Sequence, residues 1–157
     1  MISLDDYWMG REDEHATDLT EEVRGNAILL LERVNRLLAS AAQEQIEPGI
    51  DARTGTVVAS GWRPKAVNDG TASSGKTSRH IVGLAVDLRD YPPERSLARW
   101  CLRNQRLLDE IGLWMEDPRW TPSWVHLQSV PPGSGRRVYV PSTAPALAAA
   151  LPEQRVA

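Results

Sequence analysis

The chain has 157 residues, 41% of them hydrophobic and 25% charged, a composition typical of a soluble globular protein with one domain. Its formal net charge of -3 argues against a nucleic-acid-binding surface, which requires a strong excess of basic residues. The single cysteine, Cys101, excludes an internal disulfide and a cysteine-rich zinc cluster, and its apolar helical surroundings predict a buried thiol.

The N-terminal residues lack the basic and then apolar pattern of a secretory signal. No apolar run approaches the ~20 residues that a membrane helix needs. We therefore expect a protein that is made in the cytoplasm without a signal peptide and does not insert into membranes. We also expect it to be a monomer.

The first half of the chain predicts one long helix and one short strand. Asp18 and Glu21 fit a helix N-cap and its reciprocal partner. Apolar residues then recur at helical spacing from about Thr20 to Gln43. Residues 56–64, "TVVASGWRP", predict a strand, and the small polar residues of 68–78 predict a loop.

The second half predicts three strands and a second helix. Residues 82–88, "VGLAVDL", are typical of a strand. A helix is predicted between Pro93 and Gly112, with the proline near its start and the glycine at its stop. Residues 123–130 and 136–140 predict two further short strands, and the Ala-rich residues 142–157 predict a terminal helix or loose chain.

This order of elements predicts an α+β fold in which two main helices flank a small antiparallel sheet. The chain shows no internal repeat and no linker long enough to divide domains. We therefore expect a single domain over residues 1–157, with residues 142–157 as its tail.

Three polar residues stand in or beside the predicted strands. Asp87 lies in an apolar strand, where a carboxylate is costly unless it is paired or bound to a cation. His126 occupies the polar face of another predicted strand, and His80 stands where the polar loop ends. Two histidines and one carboxylate are a common ligand set for catalytic zinc, with a fourth position open for water. The spacing alone also fits polar residues that bind no metal.

A resemblance to a known family strengthens the metal hypothesis. Residues 78–88, "SRHIVGLAVDL", match the SxHxxGxAxD signature of zinc peptidases related to D-Ala-D-Ala carboxypeptidases, D-Ala-D-Ala dipeptidases and phage L-alanyl-D-glutamate endolysins. "SGWRP" is similar to the SGYR-type strand of this lysostaphin/D-Ala-D-Ala/sonic-hedgehog group, and "WVHLQ" resembles the strand with its last ligand. The resemblance covers about residues 59–140 and is greatest with the phage or prophage type.

The resemblance implies roles for several residues. His80, Asp87 and His126 match the ligands of one Zn2+ ion per chain. Arg63 matches an arginine that stabilises the substrate carbonyl or its oxyanion, although an exposed salt bridge is the alternative. Ser78 matches the family serine beside the ligand loop, and either a substrate contact or a local turn hydrogen bond explains it.

Trp62 and Trp124 lie close to the implied ligands in sequence and are candidates for substrate binding. Aromatic walls suit a cleft that holds a peptide or a sugar chain. A small hydrophobic core can use the same rings equally well.

The sequence departs from the family at the general base. The family has an acid three residues before the last histidine, where this chain has Ser123, which cannot take a proton from water as a carboxylate does. Glu116 is our candidate for the base if the following loop folds back, and Asp117 is the second candidate. Both acids also fit an exposed loop.

The implied function is zinc-dependent hydrolysis of the stem peptide of bacterial peptidoglycan, as in a carboxypeptidase or an endolysin. The missing family acid leaves a second expectation open, a non-catalytic peptidoglycan-binding or virion structural module that contains a metal. In either case the expected partner is the stem peptide and no nucleic acid. The expected place of action is the cell wall, after host lysis or as part of a virion.

Overall fold

The computed structural model describes residues 1–71 and 75–141 of the chain. Its helices and its small mixed sheet confirm the predicted α+β fold. The predicted tail at 142–157 lies outside the described residues, as does the centre of the predicted loop at 72–74. In chain order, the elements are α1 (Leu4–Trp8), α2 (Glu21–Gln43), β1 (Val58–Ser60), α3 (Lys65–Asp69), β2 (Ala85–Arg89), α4 (Ser96–Arg103), α5 (Gln105–Ile111), β3 (Trp114–Glu116), β4 (Trp124–Gln128) and β5 (Val138–Tyr139).

The sheet has the strand order β1-β2-β4-β3-β5. The first three pairings are antiparallel, as predicted, but β5 runs parallel to β3. The reason is the connection over residues 129–137, which carries the chain from β4 past β3 to the outer edge. The two longest strands, β2 and β4, therefore lie together with paired neighbours on both sides, and the candidate site is built on them.

Helix α2 contributes its buried face to the hydrophobic core and matches the predicted range closely. Its N-cap is Thr20, whose Oγ1 accepts a hydrogen bond from the Val23 amide at 3.3 Å, so the predicted cap at Asp18 is wrong. The cause is local, because Thr20 directly precedes the first helical turn and Asp18 does not. The buried face of the helix comprises Val23, Ala27, Leu30, Leu31, Val34, Leu37 and Ala41.

The predicted second helix is divided into α4 and α5 at Asn104. The backbone there leaves the helical region, and the Asn104 side chain donates to the Trp100 carbonyl at 3.0 Å. Helix α5 ends before Gly112, the predicted stop, which has a φ of 71°. Helix α4 starts after Pro93 because the buried Asp90 carboxylate accepts the Leu97 and Ala98 amides of its first turn.

Three short elements, α1, α3 and β3, were not predicted. Each is too short to show a hydrophobic period, and tertiary contacts hold it in place. Helix α1, for example, is anchored by the buried side chains of Tyr7 and Trp8.

The prediction of a core thiol is confirmed, since Cys101 is buried and burial raises its pKa to about 12. Within the described residues, the helices are all too short or too polar to cross a membrane.

Candidate metal centre

The three predicted ligands converge on one face of the sheet. Asp87 and His126 are register partners on β2 and β4, and His126 Nδ1 lies 2.7 Å from Asp87 Oδ1. His80, from the turn before β2, places Nε2 3.4 Å from Asp87 Oδ2. One ligand atom from each residue lies within 4.8 Å of the others. These side chains therefore form a group that can hold a metal ion.

The surroundings of His80 provide a test of whether a cation fits. The ring is fully buried, and Nδ1 lies 2.8 Å from the Gly61 carbonyl oxygen. Because that oxygen can only accept, Nδ1 carries the proton and Nε2 presents a lone pair towards the Asp87 carboxylate. Within the described residues, Nε2 has no hydrogen-bond partner. A buried lone pair that faces a carboxylate is unfavourable, and a cation between them removes the conflict.

The charges of the group also suit a metal. Burial acts to raise the pKa of Asp87, but its electrostatic interactions with His80 and His126 outweigh burial and hold the pKa well below the usual range. Burial lowers the pKa of His80 against the opposing charge of Asp87, which favours the neutral imidazole. Burial opposes protonation of His126, whereas its contact with Asp87 raises the pKa. An ionised carboxylate and a neutral imidazole are the forms that bind metal ions.

Two glycines bring the ligand segments close to their neighbours. A Cβ on Gly61 would lie 1.9 Å from the Tyr7 carbonyl oxygen, so only glycine lets β1 approach α1 there. Gly83 has a φ of +76°, and a Cβ would lie 2.6 Å from the Val23 carbonyl oxygen of α2. The turn that carries His80 is thus held between α2 and the sheet.

A cleft of about 940 Å³ lies over Asp87 and His126. Aromatic side chains from the loop before β4 and from β5 form part of its wall. Further residues that line it include Arg11, Arg63, Ser78, Glu116, Trp120, Trp124, Gln128 and Tyr139. The cleft is large enough for several residues of a peptide.

Glu116 lies inside this cleft, at the end of β3. The β3–β4 register pairs Met115 with Leu127, and its continuation by one residue brings Glu116 opposite His126. Burial raises the pKa of Glu116; the charge on His126 opposes this shift, and that of Asp87 adds to it. A raised carboxylate pKa nearer to neutral pH suits a general base.

Asp117 and Ser123, the residue at the family position of the base, lie outside the cleft lining. The Asp117 carboxylate is held by Arg119 at 2.7 Å and is not among the residues that line the cleft. Ser123 does not line it either, and its carbonyl accepts the Asp90 amide at 3.0 Å. Among the candidates for the base, the geometry favours Glu116.

Arg63 and Ser78 both line the cleft. Arg63 Nη2 donates to Ser78 Oγ at 3.3 Å, and the Arg63 amide donates to the His80 carbonyl at 3.2 Å. Burial lowers the pKa of Arg63, while the charge on Asp87 acts in the opposite direction. Within residues 1–71 and 75–141, Arg63 forms no salt bridge. Its guanidinium is thus available to a ligand in the cleft.

The two predicted substrate-binding tryptophans differ. Trp124 lines the cleft, but Trp62 is fully buried, and its indole N–H donates to the Ile81 carbonyl at 3.1 Å. Its ring packs edge-on against Trp8, with centroids 5.7 Å apart. The prediction of a substrate contact at Trp62 is wrong, because adjacent residues of extended chain point in opposite directions and Arg63 takes the cleft side.

The residues of the cleft wall that sequence reasoning missed include Arg11, Gln128 and Tyr139. Gln128 lies two residues after His126 in β4, so the two side chains share one face of the strand. This alternation in the sequence could have identified Gln128. The Tyr139 hydroxyl donates to Gln128 Oε1 at 2.8 Å, which links β5 to that face. Arg11 lies far from the motifs in sequence and carries no comparable signal.

Models of known protein families, curated proteins and solved structures were compared with the chain, and none of them matches it.

Proposed function

We propose that the protein is a zinc-dependent peptidase that hydrolyses the stem peptide of bacterial peptidoglycan. The observation that carries the proposal is the convergence of His80, Asp87 and His126, two of which, Asp87 and His126, line an open cleft. The SxHxxGxAxD signature over residues 78–88 supports the choice of family and substrate. We assign the protein to the phage or prophage type, acting on the cell wall after host lysis or as part of a virion.

His80 Nε2, an Asp87 oxygen and a His126 ring nitrogen would hold the ion. The donor set of two imidazoles and one carboxylate favours zinc over the hard cations calcium and magnesium. When bound, zinc supplies a Lewis acid that makes water a stronger nucleophile and polarises a carbonyl group. The Gly61 carbonyl holds the His80 ring in the required orientation and tautomer.

Two further side chains perform the remaining steps. Glu116 accepts the proton of the attacking water and delivers it to the leaving amine. Arg63 donates hydrogen bonds to the carbonyl oxygen of the scissile amide, where negative charge develops in the transition state. Glu116 thereby takes the role that the family gives to the acid at the position of Ser123.

The test is mass spectrometry of purified peptidoglycan after incubation with the protein. We expect fragments with new termini inside the stem peptide, which are lost when a chelator removes the metal. The Glu116→Gln variant with full zinc content should yield few or none of these fragments. Asp117→Asn is the control, because it alters a nearby acid that lies outside the cleft. Trp62→Phe is not a suitable control, because it perturbs the core.

The same experiment distinguishes the peptidase from the alternative, a non-catalytic module that contains a metal. If the protein stays bound to sedimented peptidoglycan and no stem-peptide bond is cut at any zinc content, the peptidase proposal fails. The protein is then a metal-containing binding or virion structural module.

A further inference from the structure

The cleft contains more positive than negative side chains. Three arginines line it, Arg11, Arg63 and Arg79, against the two carboxylates of Asp87 and Glu116. Asp87 is engaged with both histidines, so its charge is already used within the metal group. A bound divalent cation would increase the positive excess further. The cleft is therefore suited to a ligand that carries a negative charge.

Arg11 is not required by the roles given so far. It follows α1 and reaches across the cleft wall, where Nη1 donates to the Trp62 carbonyl at 2.5 Å. Burial lowers its pKa, and the positive charge of Arg63 lowers it further, which reflects how near the two guanidiniums lie. Two like charges in a half-buried wall repel each other unless an anion joins them.

Asp87 acts on Arg63 through its charge and without an ion-pair contact. Across 1–71 and 75–141, neither Arg11 nor Arg63 is in salt-bridge contact with a carboxylate. Arg63 Nε is in addition buried without a hydrogen-bond partner there. Because a guanidinium matches the two oxygens of a carboxylate, the pair is built to receive that group.

We propose that Arg11 is the specificity residue of an anion subsite, which it forms beside Arg63 and which binds a carboxylate of the substrate close to the scissile amide. The inference rests on the proposed function only for its description of the ligand as a peptide. Arg11 donates to the carbonyl of Trp62, and Arg63 is the next residue, so the carboxylate lies near the amide that Arg63 contacts. A stem peptide offers such a group at its C-terminus or at the α-carboxylate of γ-linked glutamate.

The test measures binding of small carboxylates, which requires no peptide cleavage. N-acetyl-D-alanine and its amide represent the terminal carboxylate. N-acetyl-D-glutamic acid γ-methylamide and its α-amide represent the in-chain carboxylate. Each is titrated into the zinc-loaded full-length protein, and the Nε–Hε signals of the arginines are followed by NMR.

We expect the wild type to prefer one of the acids over its amide, with shifts of the Arg11 and Arg63 signals. Arg11→Gln, which keeps an N–H for the Trp62 carbonyl, should lose roughly 10-fold or more of this acid-to-amide preference. Arg11→Lys, which keeps the charge but not the paired donors, should lose less. Arg24→Gln removes the same charge from the exposed face of α2 and should change nothing.

A contact of the carboxylate with the metal would raise the acid-to-amide preference of the wild type and of Arg11→Gln alike, since the variant retains all three ligands. The difference in preference between the two proteins therefore measures the contribution of Arg11. The proposal is overturned if the wild type shows no preference for either acid, or if folded Arg11→Gln and Arg11→Lys keep the full preference. The pair that shows the preference identifies the source of the carboxylate. If Arg11→Gln loses the preference and the wild type cuts no stem peptide, the subsite stands and the peptidase proposal fails.

Discussion

Asp87 and His126 lie directly opposite each other on the two central strands, and their side chains are in contact at 2.7 Å. The register of β2 and β4 continues for residues on both sides of this pair, from Ala85–Gln128 to Arg89–Trp124. Two of the three candidate ligands are therefore positioned by a backbone ladder. His80 depends instead on a turn and on its hydrogen bond to the Gly61 carbonyl.

The first prediction concerns metal content. We expect the wild type to bind one zinc per chain and His126→Ala to lose most of it, because two ligands seldom retain zinc at a site built for three. His15→Ala is the matched control, since His15 is the third histidine and is not among the clustered ligands. Elemental analysis of the purified variants measures the outcome. Equal zinc in His126→Ala and wild type would disprove the ligand assignment.

The second prediction concerns stability. Metal that binds only the folded state stabilises it by about 2.7 kcal/mol when its free concentration is 100 times the dissociation constant. For a domain of this size, its removal should lower the melting temperature by on the order of 5–10 °C. Calorimetry with and without a chelator tests this, and His126→Ala should show no chelator effect. An unchanged wild-type transition after verified metal removal would contradict the prediction.

The third prediction concerns the base. Glu116→Gln should keep its zinc and lose roughly 100-fold or more in the rate of stem-peptide hydrolysis, the range expected for a general base. Asp117→Asn should stay close to wild type, because Arg119 holds the Asp117 carboxylate outside the cleft. Turnover and zinc content are measured for each variant. If the wild type cuts the substrate and Glu116→Gln cuts it equally fast, the base is another group.

The fourth prediction tests the packing behind the site. Gly61→Ala places a Cβ 1.9 Å from the Tyr7 carbonyl oxygen, and backbone must move to relieve the clash. We expect a loss of about 1–3 kcal/mol in the free energy of unfolding, as for other overpacked sites.

Gly25→Ala provides the contrast, since its Cβ in α2 would meet no atom within 4 Å. This variant should gain about 0.5–1 kcal/mol because alanine favours the helix. Denaturant titration of both variants gives the comparison. A Gly61→Ala variant as stable as the wild type would mean that α1 and β1 are not packed as described.

The sequence was informative wherever the signal was local. Helix α2 shows a clear apolar period over many turns, and the spacing between His80 and Asp87 is contained within one motif. Glu116 could be proposed because it precedes His126 by a short loop. Its exact place depends on the β3–β4 register, which three residues of β3 are too few to reveal.

Contacts between distant parts of the chain could not be predicted. Trp62 stands beside Arg63 in a segment where polar and apolar residues do not clearly alternate. Only the contact of its ring with Trp8 shows that it belongs to the core. Arg11 reaches the cleft solely because α1 packs on β1. The parallel β5 likewise depends on a crossing of the sheet that no residue pattern encodes.

The contacts of α1 define how small a working unit can be. The Tyr7 carbonyl accepts a hydrogen bond from the Trp62 amide at 3.0 Å, and the Tyr7 hydroxyl donates to the Ala85 carbonyl at 2.9 Å. Tyr7 thus links the segment that follows β1 to the first residue of β2. The motifs occupy residues 59–140, yet a fragment cut to that range would lose this brace. The backbone of Ile2 forms two hydrogen bonds with the Asn35 side chain of α2. An expression tag fused at Met1 would lie next to these bonds, so a long flexible spacer is advisable there.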